Sequence, residues 1–258
     1  MYTLLCVLLL IASIMAILRP QDPRWPHLFL ILLVVIPLNM LIPFALLELS
    51  GSPHQRYDQY FFKIDQLFGL PEWQLASLLN ALPLLKKVVA FDYGHATCWT
   101  LLAVTLQLIV HGPRNGWRAL ITSALIGGLI PPFYRLLPAS GPLYAFADYP
   151  YRLPQVVSPH VISLQAVPNC MPSAHMASAL LVLYLAREIG IFRCLAWVHV
   201  GITILATLGL GEHYFIDLIA AVPYAAAIVI LGHSITSEST WGAIGAWQNI
   251  VLPRPQRN

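Results

Sequence analysis

Gly211-Glu212-His213-Tyr214-Phe215-Ile216-Asp217, followed without a break by LIAAVPYAAAIVILG to residue 232, decides how the chain folds. An imidazole and a carboxylate stand at the head of an apolar run. That run is long enough to cross a hydrocarbon core of about 30 Å at about 1.5 Å per residue. Charged or ionisable groups at such depth are costly, and by default they mark a functional site. A second polar head, Pro172-Ser173-Ala174-His175, opens another apolar run. Together the two heads supply a hydroxyl, two imidazoles and a carboxylate, a set able to hold a phosphate, attack it and protonate what leaves.

Outward from these stretches the chain is uniformly greasy. Of its 258 residues 58% are hydrophobic and 10% charged, with a mean hydropathy of +0.71, whereas soluble domains carry about 25% charged residues. The formal charge of +3 is too small to point to nucleic acid. Apolar runs over 2–18, 27–47, 93–111, 117–137, 173–188, 192–210 and 213–232 predict an all-α integral membrane bundle of about seven transmembrane helices. Pro37, Pro43, Pro131 and Pro132 should kink their spans rather than end them. The first run lacks a basic n-region and a small-x-small cleavage site before Arg19, so it reads as a span and not as a signal peptide.

Orientation follows from the basic residues. Arg19, Arg24, Arg114, Arg118, Arg187, Arg193, Arg254 and Arg257 fall on one side of the spans, in or beside short connections and the tail. The other six are spread over two longer segments on the opposite side. This bias predicts the N-terminus out and the C-terminus in, with both polar heads opening outward. The expected organisation is an N-terminal hairpin (1–47), an interfacial amphipathic segment (48–92), a catalytic membrane core (93–232) and a cytoplasmic tail (233–258). Compact loops without a targeting signal point to a bacterial inner membrane, with the site facing the periplasm. Cys6, Cys98, Cys170 and Cys194 have no metal-type or redox-type spacing. The favoured reading makes them small buried residues, although Cys98 and Cys170 both fall where a disulfide is permitted.

Two non-spanning segments border the core. In 48–92, Tyr60, Phe61, Ile64, Leu67 and Phe68 alternate at helical spacing with Gln59, Lys63, Asp65 and Gln66, which suits a helix lying in the interface. A second amphipathic stretch ends in Lys86-Lys87. A cover packed on the bundle is the favoured reading, and a platform guiding a headgroup is the alternative. The segment 138–172 is rich in Pro and aromatics and leads straight into Ser173, so it is expected to form one wall of the site.

Pro172 reads as a first-turn proline, which puts Ser173 at the N-terminus of a span. Backbone N–H groups and the helix dipole favour an anion there. His175 is the candidate proton donor. His213 and Asp217 are four apart, the spacing of one helical face. The carboxylate can then accept the imidazole Nδ1–H and leave Nε2 free as a nucleophile. Asp92 and His95 read as interfacial residues or as the border of an entrance, with the first slightly preferred. His54, His111, His199 and His233 have no partner at catalytic spacing in the sequence.

This arrangement resembles the type 2 phosphatidic acid phosphatase superfamily, whose second and third motifs read Pro-Ser-x-His and His-x-x-x-Asp. His175 and His213 are 38 positions apart, about one helical hairpin. Asn169-Cys170-Met171, Gly211-Glu212-His213-Tyr214 and Tyr134-Arg135-Leu136-Leu137-Pro138 through Gly141-Pro142 look closer to the inositol phosphorylceramide synthase-like branch. The resemblance covers roughly 90–232. It implies that His213 attacks phosphorus, Asp217 orients it, His175 protonates the leaving oxygen and Ser173 binds a phosphoryl oxygen, with no metal or other cofactor. The sequence departs from the superfamily at two cations. An Arg expected six residues before the nucleophile is Thr207, and no Lys closely precedes the 135–142 segment. Arg135 is a candidate for one phosphate-binding place and Arg152, Lys86 or Lys87 for another; for Arg135 an interfacial snorkelling role is nearly as well supported.

The function expected is that of a membrane-embedded lipid phosphate phosphatase at the outer leaflet, with a lipid phosphate and the surrounding membrane lipids as its partners. A phosphotransferase of the sphingolipid or inositol-phospholipid headgroup type uses the same histidines, because fold does not choose the acceptor. From another class come a lipid transporter or flippase, which the absence of paired broken helices disfavours, and hydrolysis by water on a metal held by His175, His213 and Asp217.

Overall fold

The structure, a computed structural model, describes residues 2–19, 21–50, 56–69, 72–146, 149–150 and 169–237. Every regular element among them is helical. In chain order these are α1 (Tyr2–Leu18), α2 (Arg24–Ser50), α3 (Asp58–Leu67), α4 (Glu72–Ala81), α5 (Pro83–Gly94) and α6 (Ala96–His111). There follow α7 (Pro113–Leu129), α8 (Pro131–Leu136), α9 (Pro142–Ala145), α10 (Ala174–Ala186), α11 (Gly190–Gly209) and α12 (Phe215–Ile235).

Three stretches are long and apolar enough to cross a membrane: Pro113–Leu136, Gly190–Gly209 and Phe215–Ile235. Shorter apolar stretches of 10–17 residues cover Cys6–Leu18, Arg24–Leu38, Ala96–His111 and Ala174–Ala186, where the remaining apolar runs were expected. The prolines do not end their apolar runs. Helix α2 continues through Pro37 and Pro43. The fourth apolar run breaks only at Ile130, between α7 and α8.

One apolar core joins α2, α6, α7, α10, α11 and α12, where Leu28 and Ile31 share a cluster with Leu108, Leu181 and Ile228. Large apolar side chains such as Ile17, Leu84, Ile191 and Ile230 stay exposed on the outside of the bundle. A lipid environment accommodates them, whereas water would not.

The segment 48–92 is the chief departure from the sequence reading. Asp65, expected on the polar face of α3, is buried together with Asp58, Phe61 and Phe62, while Tyr60, Leu67 and Phe68 are exposed. The expected polar face is thus split: Lys63 and Gln66 stay exposed, while the carboxylates of α3 turn inward to meet backbone donors. The second stretch is not one surface helix either. Helices α4 and α5 bend by 115° at Leu82, before Pro83, in the manner of a broken span or a re-entrant loop.

Candidate active site

Ser173 and His213 reach one end of the bundle because α10 and α12 both begin there. Ser173 is the N-cap of α10, and its Oγ accepts the N–H of Met176 at 3.3 Å. Pro172 therefore lies one residue outside the helix rather than in its first turn. His175 sits in that first turn, beside the cap. The Ser173 N–H donates to the main-chain carbonyl of Asp217 at 3.2 Å, so the two motifs share a backbone bond.

His213 also lies outside its helix. Tyr214 is the N-cap of α12 and Asp217 its third residue. Asp217 Oδ2 accepts the Tyr214 N–H at 2.9 Å, one half of a capping box. The approach of His213 to Asp217 thus comes from the folded-back cap and not from two residues on a helical face. His213 Nδ1 stands 3.5 Å from Asp217 Oδ2, beyond hydrogen-bond range. Both His213 Nδ1 and Asp217 Oδ1 are buried without a hydrogen-bond partner.

The two imidazoles face one another edge to face, with ring centroids 6.2 Å apart. Tyr93 of α5 stacks on the His175 ring at 3.9 Å. His175 also borders an apolar cavity of about 250 Å³ between α2, α6, α7 and α10. Leu38, Val104, Leu120 and Ile130 line it, and the Thr100 and Ser123 hydroxyls on its wall turn back onto carbonyls of their own helices.

Three buried acids brace this end. Asp65 accepts the N–H of Phe215 (2.5 Å) and of Ile216 (3.0 Å), and Glu72 also accepts that of Phe215 (3.2 Å). These are the first two residues of α12, whose N–H groups have no partner within the helix. Asp58 Oδ1 accepts three donors: the N–H of Ser140 (2.9 Å), the N–H of Gly141 (3.1 Å) and the hydroxyl of Tyr214 (3.0 Å). Burial raises the Asp58 carboxyl above the usual range, against the lowering effect of those bonds. Its Oδ2 has no hydrogen-bond partner.

The loop before α9 packs on the His213 loop. Gly141 has φ of +90°, and a side chain there would strike the Glu212 carbonyl. Leu143 N–H donates to the Gly211 carbonyl at 2.9 Å. Ala139 accepts the N–H groups of Asn169 and Cys170, and the Cys170 thiol donates to the Glu212 carbonyl at 3.3 Å. The described part of 138–172 therefore does form a wall beside His213. Thr207, in the place of the expected Arg, holds the N–H groups of Glu212 and His213 through its carbonyl.

Of the expected site residues, Ser173, His175, His213 and Asp217 come together. Arg135 is exposed at the end of α8, and no described hydrogen bond or ion pair joins it to them. Arg152 lies outside the described residues. Sequence reasoning missed Arg56, whose Nη1 donates to Ser140 Oγ at 2.5 Å. It missed a second buried pair as well: His199 Nδ1 meets Asp92 Oδ2 at 2.8 Å, with Trp99 Nε1 donating to Asp92 Oδ1. These partners lie 84 and 107 positions apart, so no local spacing announces them.

Residues 59–231 match the family model of the PAP2 superfamily. The chain belongs to that superfamily, the same one that its Pro-Ser-x-His and His-x-x-x-Asp motifs resemble. No curated protein and no solved structure matches it. Membership supports a phosphatase- or phosphotransferase-type enzyme acting on a lipid phosphate, and with the apolar helices it identifies an all-α integral membrane protein.

Proposed function

We propose that the protein is a lipid phosphate phosphatase working through a phosphohistidine at the outer face of the membrane. The observation that carries this reading is the meeting of His175 and His213, rings 6.2 Å apart, at the joined N-termini of two helices. His213 Nε2 attacks phosphorus, and the P–O bond to the lipid breaks. His175 gives its proton to the departing oxygen. It then takes a proton from the water that cleaves the P–N bond, so both histidines return to their starting states. Asp217 holds the Nδ1 proton and offsets the charge that develops on the ring, which requires the 3.5 Å gap to close in the complex. Ser173 and the first N–H groups of α10 receive phosphoryl oxygens. Arg56 takes the phosphate-clamping part, a role supported by its bond to the loop that packs on Glu212. The cavity beside His175 is suited to the alkyl part of the departing lipid alcohol.

The same cavity supports a second reading, phosphotransfer, because an acceptor alcohol can enter where the departing one leaves. A lipid with labelled phosphate, given to the purified protein with chelator and a membrane extract, separates the two. Free labelled phosphate that depends on His213 identifies the phosphatase, and label in a new lipid identifies the transferase. No transfer from wild type overturns both and returns the transporter reading. Vanadate at millimolar concentration is expected to inhibit; insensitivity counts against the phosphohistidine.

A further inference from the structure

We propose that Cys170, His213 and Asp217 form an inhibitory binding site for a thiophilic divalent cation of the Zn²⁺ or Cd²⁺ type. One ligand atom from each, the thiol sulfur, a ring nitrogen and a carboxylate oxygen, lie within 4.8 Å of one another. All three residues are buried, at 0%, 3% and 0% exposure. Two polar atoms here, His213 Nδ1 and Asp217 Oδ1, have no hydrogen-bond partner. An unmet acceptor and an unmet ring nitrogen side by side in a buried site are unusual, and a cation shared between them satisfies both.

The donor chemistry selects the ion. Sulfur, imidazole and carboxylate together suit zinc and its soft congeners, and disfavour magnesium or calcium, which take oxygen. Donors around a tetrahedral zinc lie roughly 3.3–3.8 Å apart, given bonds of about 2.0–2.3 Å. The 3.5 Å between His213 Nδ1 and Asp217 Oδ2, the carboxylate oxygen that also takes the Tyr214 N–H, is such a separation, and the set as a whole, within 4.8 Å, draws in on binding. One thiolate and one carboxylate offset the double charge of the ion, so the occupied site is neutral, as burial demands. The other charged groups bearing on Cys170 are Asp58 and Glu212, opposed by Arg56.

Binding replaces a proton by the metal. The Cys170 S–H bond breaks, sulfur bonds the ion and the proton leaves to solvent. The neutral His213 ring places its Nδ1 lone pair on the metal and keeps its one proton on Nε2. The lone pair needed for attack on phosphorus is then gone. Binding itself stands apart from the proposed function; its inhibitory consequence rests on that reading.

Cd²⁺ titrated into the purified full-length protein tests the site directly, through the ultraviolet thiolate-to-cadmium absorption band. A band reaching its end point at one equivalent in wild type and in Cys194→Ser, and absent from Cys170→Ser, is expected. A band surviving in Cys170→Ser, or none in wild type, overturns the proposal. His213→Ala keeps the thiol and is expected to weaken Cd²⁺ binding at least about 100-fold; unchanged affinity overturns it too, whether or not Cys170→Ser folds. Zn²⁺ is expected to suppress wild-type turnover at concentrations that leave Cys170→Ser working, and equal inhibition of both removes the inhibitory role. A normal band in a protein without phosphoryl turnover breaks the proposed function alone.

Discussion

The two ends of the bundle meet the same electrostatic problem with opposite charges. At the histidine end α10 and α12 begin, and buried acids accept the unpaired N–H groups of α12: Asp65 and Glu72 at Phe215 and Ile216, Asp217 at Tyr214. At the other end helices finish, and partly buried arginines donate to their last carbonyls. Arg24 reaches Ile109 at 3.1 Å, while Arg114 and Arg118 reach Thr236 at 3.5 and 3.4 Å. Both patterns complement the helix dipole. They differ in depth. An arginine keeps part of its length in solvent or headgroups, whereas Asp58, Asp65, Glu72 and Asp217 are each at most 2% exposed. The buried bonds are concentrated at the proposed site, and the half-exposed ones at the arginine end.

Substitutions can break that contrast. His213→Ala is expected to drop turnover by at least about 10⁴-fold with the fold retained, measured as phosphate release; normal activity sinks the mechanism. Asp217→Asn is expected to cost roughly 10³-fold or more, by likeness to triad aspartates. Replacing Asp65 by Ala strands the Ile216 N–H and leaves that of Phe215 to Glu72 alone, and is expected to cost about 2 kcal/mol in chemical denaturation. Arg118→Ala is expected to cost only about 0.5 kcal/mol. Equal losses for Asp65 and Arg118 would erase the distinction between the ends.

Asp58 sharpens the comparison through pH. Its carboxyl is raised by burial, so the folded state binds that proton more tightly than the unfolded chain. The stability it contributes is fully present below the unfolded value and is lost as pH rises through the folded one. Asn keeps the acceptor that serves Ser140, Gly141 and Tyr214. Asp58→Asn is therefore expected to remove this slope, so that denaturation midpoints fall less between acid and neutral pH than in wild type. An unchanged slope would show that Asp58 is ionised. Arg135→Ala, the smallest effect expected, should leave activity near wild type, whereas Arg56→Ala should raise KM.

What the sequence revealed depended on whether the signal was local. Ser173, His175, His213 and Asp217 lie in short motifs at the heads of apolar runs, and both helix starts were legible to within a residue or two. The reason for the His213–Asp217 approach was not, since helical spacing and a capping box bring residues four apart together equally well. Helix α3 misled because amphipathic periodicity assumes that acids face outward. Asp65 faces inward to partners 150 and 151 positions away. The Asp92–His199 pair and the Arg56–Ser140 bond were hidden for the same reason.

The backbone bond from Ser173 to Asp217 depends on no side chain at either position. Substitution can alter the reacting groups without unfastening α10 from α12 at this point, so the histidines travel as one piece. A lineage or an engineer seeking a new substrate would leave that piece alone and reshape α2, α6 and α7 around it.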